Sequence, residues 1–187
     1  HLIEYWSTDV AGNIENKNII KHLLCTEAMM AALAKKFEPD KETEWVLAGL
    51  LHDGDYKPDV PVKKQGIEVT KILREKGLEI PENVANCMAA HNWENTKVEP
   101  KSQMDWALFC GDSLTGLIVA TALVRPDKKL ASVTVESVLK KFKQHEFARG
   151  TRREDIKLCQ EKLGLSLEEF IGIVLKAMQK IANEIEL

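Results

Sequence analysis

Apolar residues recur at helical spacing along nearly the whole chain. Ile19, Leu23, Met30, Leu33 and Phe37 follow one another at steps of three, four and seven, and Phe170, Val174, Leu175, Met178 and Ile181 repeat the pattern near the end. No stretch alternates with the period of two that a half-buried strand needs, so the pattern predicts an all-α helical bundle. Helices are expected over Asn16 to Phe37, Thr43 to His52, Val62 to Lys76, Pro81 to His91, Met104 to Val124, Val135 to Phe142, Arg152 to Leu163 and Leu167 to Ile185. The breaks carry recognisable chemistry: Pro39-Asp40, the stretch Asp55 to Pro61 with its two prolines, Gly77 as a C-terminal cap, Pro126-Asp127, and Thr151 and Ser166 as N-caps.

Composition narrows the partners. The 187 residues carry 26 Lys and Arg against 29 Asp and Glu, a formal charge of -3, with the lysines interspersed among glutamates. That is no footprint for duplex nucleic acid. Cys25, Cys87, Cys110 and Cys159 lie far apart with no Cys-x-x-Cys pair and read as reduced, structural thiols, which points to a cytoplasmic location. The most apolar strip, Trp106 to Val124, is interrupted by Asp112, Ser113, Thr115 and two glycines, so no membrane span is expected. The chain opens on His1 rather than methionine, so a targeting signal is not open to inspection from its start. Neither repeat nor linker divides the sequence, so residues 1–187 read as one domain, and the pattern does not fix an oligomeric state.

The informative feature is the placement of His22, His52-Asp53, His91 and Asp112 on four different predicted helices or helix ends. Imidazole nitrogens and carboxylate oxygens suit divalent ions such as Mn, Fe, Co, Ni, Zn or Mg, and helix bundles build such sites from inward-pointing side chains. Asp112 lies among Leu108, Phe109, Leu117 and Ile118, where an unpartnered carboxylate is costly and calls for an ion, an arginine or a set of donors. Other readings stand beside this one: His22 as an ordinary core histidine, His91 as a helix-end residue beside Asn92, and Asp112 neutralised by Arg125 or Arg149. Gly49, Gly111 and Gly116 are expected to let helices approach closely.

The order His22, then Ala48-Gly49-Leu50-Leu51-His52-Asp53, then Asp112 resembles the HD superfamily of metal-dependent phosphohydrolases. The stretch from Ile19 to Val124 carries the resemblance, and Leu-Val-Arg-Pro at 123–126 with Phe-Ala-Arg-Gly at 147–150 is similar to a bacterial group of predicted HD hydrolases. The resemblance implies an HD-like bundle with its metal-site core in about 16–124 and a helical extension in 125–187. It also implies that His22, His52, Asp53 and Asp112 ligate one divalent ion, and that a small-molecule phosphate ester, such as a nucleotide or related metabolite, is hydrolysed. Two-metal members have two further histidines; here His91 is one, but Lys63, Lys64 and Gln65 stand where the other is expected. A protonated lysine cannot ligate a cation. The expectation is therefore a single ion, with His91 as a pocket residue or additional ligand.

For phosphate ester hydrolysis the metal polarises the phosphoryl oxygen and acidifies a bound water. Asp55, in His-Asp-Gly-Asp-Tyr, is the candidate to act with Asp53 in orienting that water or moving its proton, with a turn residue as the alternative. Lys64, Arg125 and Arg149 are the candidates to hold phosphate. The competing functions are a non-catalytic HD-like module that binds a nucleotide or metabolite, and an iron-dependent HD-type oxygenase.

Overall fold

The computed structural model describes residues 16–187, and among them every regular element is a helix. We number them α1 (Lys17–Phe37), α2 (Glu42–Leu51), α3 (Glu68–Glu75), α4 (Glu82–Ala90), α5 (Trp93–Thr96), α6 (Gln103–Leu123), α7 (Val135–Phe142), α8 (Arg153–Lys157), α9 (Cys159–Leu163) and α10 (Leu167–Lys180). The all-α expectation holds. Helix starts follow local side-chain chemistry: the Asn16 side chain accepts the Asn18 amide, and Ser102, Thr134 and Ser166 each form a reciprocal capping box with the residue three further on.

Helix α6 is the axis of the bundle. It packs against α1, α4, α7, α8, α9 and α10, which explains why its sequence is apolar on nearly every side. By length and composition it is apolar enough to cross a bilayer, contrary to the expectation for this strip, and most of its most apolar window is buried within the protein. Two glycines seat its neighbours. A Cβ on Gly111 would lie 2.2 Å from Met29 Sδ of α1, and one on Gly49 would lie 2.8 Å from the Thr26 carbonyl oxygen, so α2 approaches the backbone of α1 directly. Gly116 does no such packing, since a Cβ there meets nothing within 4 Å. A contiguous core runs from Leu23 on α1 to Ile185 after α10, so the segment after Pro126 shares its interior with the helices before it.

Three expected helices differ from those observed. Val62 to Lys76 divides into a 3-10 turn at Val62–Lys64 and α3, because Gly66 between them adopts φ +85, a backbone state open to glycine and strained for other residues. Arg152 to Leu163 divides into α8 and α9 at Leu158, and its start is not capped by the Thr151 side chain as expected; Arg152 occupies the N-cap position. Helix α10 stops at Lys180 and continues as turns. The short α5 was not foreseen. Next to the N-cap, buried Arg153 donates from its guanidinium to the carbonyls of Phe142 (2.8 Å), Gln144 (3.0 Å) and Phe147 (2.5 Å), which fixes the backbone from which Arg152 projects.

All four cysteines are free and buried, on α1, α4, α6 and α9. Burial pushes the Cys25 thiol up to about 12 and the Cys159 thiol up to about 11, and raises those of Cys87 and Cys110 as well.

Candidate metal centre

Four elements deliver the side chains. His22 projects from the second turn of α1, His52 caps the C-terminus of α2 with Asp53 following, His91 caps the C-terminus of α4, and Asp112 sits mid-way along α6. His22 Nε2 lies 3.0 Å from Asp112 Oδ1, 3.2 Å from His52 Nε2 and 3.9 Å from Asp53 Oδ2. His52 Nε2 is 3.7 Å from both Asp53 Oδ2 and Asp112 Oδ1. His91 approaches from the opposite side of Asp53, with Nε2 3.3 Å from Oδ1. The structure thus brings His22, His52, Asp53, Asp112 and His91 together.

The tautomers of the three imidazoles follow from their outer partners. His52 Nδ1 is 2.8 Å from the Gly49 carbonyl and His91 Nδ1 is 2.5 Å from that of Met88; a carbonyl only accepts, so both nitrogens carry hydrogen. The Thr115 hydroxyl donates to the Asp112 carbonyl at 2.8 Å and so accepts from His22 Nδ1 at 3.2 Å. Each Nε2 is left to face the carboxylates with its lone pair, which is stable only with a proton or a cation between them. Bonds of about 2.0–2.2 Å to a shared ion place neighbouring donors about 3 Å apart and wider pairs up to about 4.3 Å, a range that contains the separations seen here. His22, His52 and Asp53 therefore form a group able to hold a metal ion, and Asp112 lies within the same range of both histidines.

Asp112 turns its second oxygen to a residue the sequence did not single out. Arg152 Nη2 is 3.2 Å from Asp112 Oδ2, its Nε is 3.0 Å from Asp155 Oδ2, and its guanidinium lies 5.7 Å from the centre of the Phe109 ring. The arginine partner weighed for Asp112 is thus Arg152, not Arg125 or Arg149. Arg125, beyond the end of α6 and about 20 Å along its axis from Asp112, donates to Ser132 at 2.6 Å; Arg149 pairs with Glu146 in solvent. Neither joins the cluster. Lys64 is exposed in the 3-10 turn and makes no ion pair among the described residues. Asp55 is fully buried with both oxygens on backbone amides: each is 2.9 Å from the Gly66 nitrogen, and Oδ2 also accepts from Val69 at 2.8 Å. Its carboxylate ties the Gly66 loop to the start of α3, the turn role weighed as its alternative. Burial raises the Asp55 pKa, with those amides pulling the other way.

The charges of the cluster are interlocked. Burial raises Asp53 and Asp112, but His52 and His91 around the first, and His22 and His52 around the second, bring both carboxyls below their ordinary 3.8. Burial lowers His22 and His91, but Asp112 beside the first and Asp53 beside the second carry both above the ordinary 6.5. Raised histidines contribute stability that is fully present below the unfolded-state pKa and is lost as pH rises through the folded value; depressed carboxyls contribute stability present above about 4 and lost as pH falls through theirs. The chelated protein is therefore expected to have its highest Tm between about pH 4 and 6.5 and to lose stability above about pH 7, where added divalent metal, which needs neutral imidazoles, restores it. A Tm of chelated protein that stays flat from about pH 5 to 8 would contradict this interlocking.

Comparison with family models, with curated proteins and with solved structures returns no match to this chain.

Proposed function

We propose that this chain is a metal-dependent phosphohydrolase of the HD type, acting on a phosphate ester of a small molecule such as a nucleotide or related metabolite. The observation that carries the reading is the convergence of His22 Nε2, His52 Nε2 and Asp53 Oδ2 within 3.9 Å of one another, with Asp112 Oδ1 3.0 Å from the first and 3.7 Å from the second, and with the Nδ1 of both histidines occupied elsewhere. A divalent ion held there supplies Lewis acidity toward a phosphoryl oxygen and acidifies water. The chain's own residues supply the rest. Arg152 is partly exposed and ion-paired with Asp112 through Nη2 and with Asp155 through Nε, and a guanidinium held beside the cluster in this way suits phosphate oxygens. His91, with Nδ1 on the Met88 carbonyl and Nε2 toward Asp53, holds a proton at Nε2 that the leaving oxygen can take, a role for which its geometry is better than that of Asp55.

Elemental analysis of purified protein, with phosphate release from nucleotides and sugar phosphates in added Mn, Co or Mg, tests the reading. About one ion per chain and metal-dependent release are expected. A metal-free, inactive protein that binds a nucleotide points instead to the binding module, and iron with oxygen consumption to the oxygenase. Arg152→Ala is expected to keep the ion and lose about 100-fold in kcat/KM, while Arg149→Ala behaves as wild type. Equal activity of the two variants would remove Arg152 from phosphate handling.

A further inference from the structure

A cavity of about 370 Å³ opens beside His22, between α1, α6 and the turns after α10. Its walls are apolar: Cys25, Val119, Leu123, Ile185 and Leu187. The polar side chains of the lining are those of Asn18, Lys21, His22 and Thr115, and three of them are committed. The Thr115 hydroxyl is engaged by His22 and the Asp112 carbonyl, and Lys21 at the rim is paired with Glu186 at 2.6 Å. Gly116 lines this cavity. Glycine weakens a helix relative to alanine, and unlike Gly49 and Gly111 this one has no neighbour that a Cβ would strike, so packing does not account for it. What its missing side chain leaves open is the cavity.

We propose that this cavity receives the organic part of the substrate, and that this part is an apolar ring or chain rather than a bare polyhydroxylated sugar. The inference rests on the phosphohydrolase reading for the position of the phosphate, at the His/Asp cluster, which shares His22 with the wall of the cavity. The volume falls within the range of about 300–1,000 Å³ typical of small-molecule sites and exceeds what a phosphate group alone needs. Sugar hydroxyls pressed against these walls would lose water and gain few partners, whereas an apolar group gains from the transfer.

The test uses two readouts on the full chain. Binding of 1-naphthol to the chelated protein, followed by its fluorescence, is expected to be saturable, and Gly116→Leu, which places a side chain in the open space, is expected to weaken it by about tenfold or more. Val119→Trp fills the same space from the next turn and serves if Gly116→Leu fails to fold. Metal content and Tm of each variant show whether the cluster and the fold are intact. The second readout is the KM for 1-naphthyl phosphate against glycerol phosphate with added Mn, expected to be lower for the naphthyl ester in wild type and to rise in the filled variants. Saturable naphthol binding that the filled variants lose supports the cavity even if neither ester is hydrolysed, in which case the hydrolase reading alone falls. No saturable naphthol binding, or binding unchanged in folded variants, overturns the cavity even if both esters are hydrolysed.

Discussion

Asp53→Ala protein is expected to purify without its divalent ion and to release no phosphate from any ester in the panel. Asp53 is the hinge of the cluster: Oδ2 faces His22 and His52 at 3.9 and 3.7 Å, and Oδ1 faces His91 at 3.3 Å. Loss of an outer partner of a metal ligand costs about 10- to 100-fold in affinity, so loss of a ligand that also organises three imidazoles is expected to exceed about 100-fold. Removing the carboxylate also removes the charge that holds the His91 pKa up, while Asp112 still raises His22, so the acid-side stability maximum of the chelated variant should be lower than that of the wild type. Metal content by elemental analysis and Tm against pH read the two effects separately. Retention of a full complement of ion by Asp53→Ala would sink the ligand assignment.

Asp55→Ala is expected to act on stability rather than on metal. Its carboxylate is the partner of the Gly66 and Val69 amides, and the variant leaves both without an acceptor in a fully buried place. An orphaned buried amide costs about 1–3 kcal/mol, so the pair is expected to cost about 2–6 kcal/mol. For a chain of this size that lowers Tm by about 4–24 °C. The loop that loosens borders His91, because a Cβ on Gly66 would lie 3.1 Å from His91 Cε1 and 2.3 Å from the Met88 carbonyl oxygen. Activity should therefore fall through misplacement of His91 while the ion stays bound. Calorimetry with metal analysis distinguishes the roles: an unchanged Tm with abolished activity would return Asp55 to direct chemistry.

Much of this architecture was legible in the sequence because it rests on local signals. The 3.6-residue recurrence of apolar positions marks α1 and α10, and the cost of a lone carboxylate amid Leu108, Phe109 and Leu117 marks Asp112 as needing a partner. The identity of one of those partners was not legible. Arg152 lies 40 residues beyond Asp112 at a helix start, and its direction is set by Arg153 gripping the carbonyls of residues 142–147, a constraint that no periodicity encodes. Arg125 and Arg149 look equally suitable as basic residues; only the length of α6 and the solvent-facing pair with Glu146 separate them from the cluster. The break before α3 was hidden for a similar reason. Apolar spacing continues through residue 66, while the glycine's positive φ and the reach of Asp55 across 11 residues decide the backbone there.

The four sealed thiols make the protein a reporter of its own opening. They lie on α1, α4, α6 and α9, each within a different stretch of the bundle and each held protonated by burial. A maleimide can reach such a sulfur only while its helix is displaced, so the modification rate at each site counts excursions of that helix. Cys110 precedes Asp112 by two residues and Cys87 precedes His91 by four, whereas Cys159 belongs to the segment that carries Arg152. Peptide mapping of the alkylated protein would thus order the breathing of the helices that bear the His/Asp cluster against that of the segment that carries Arg152, without a single engineered label.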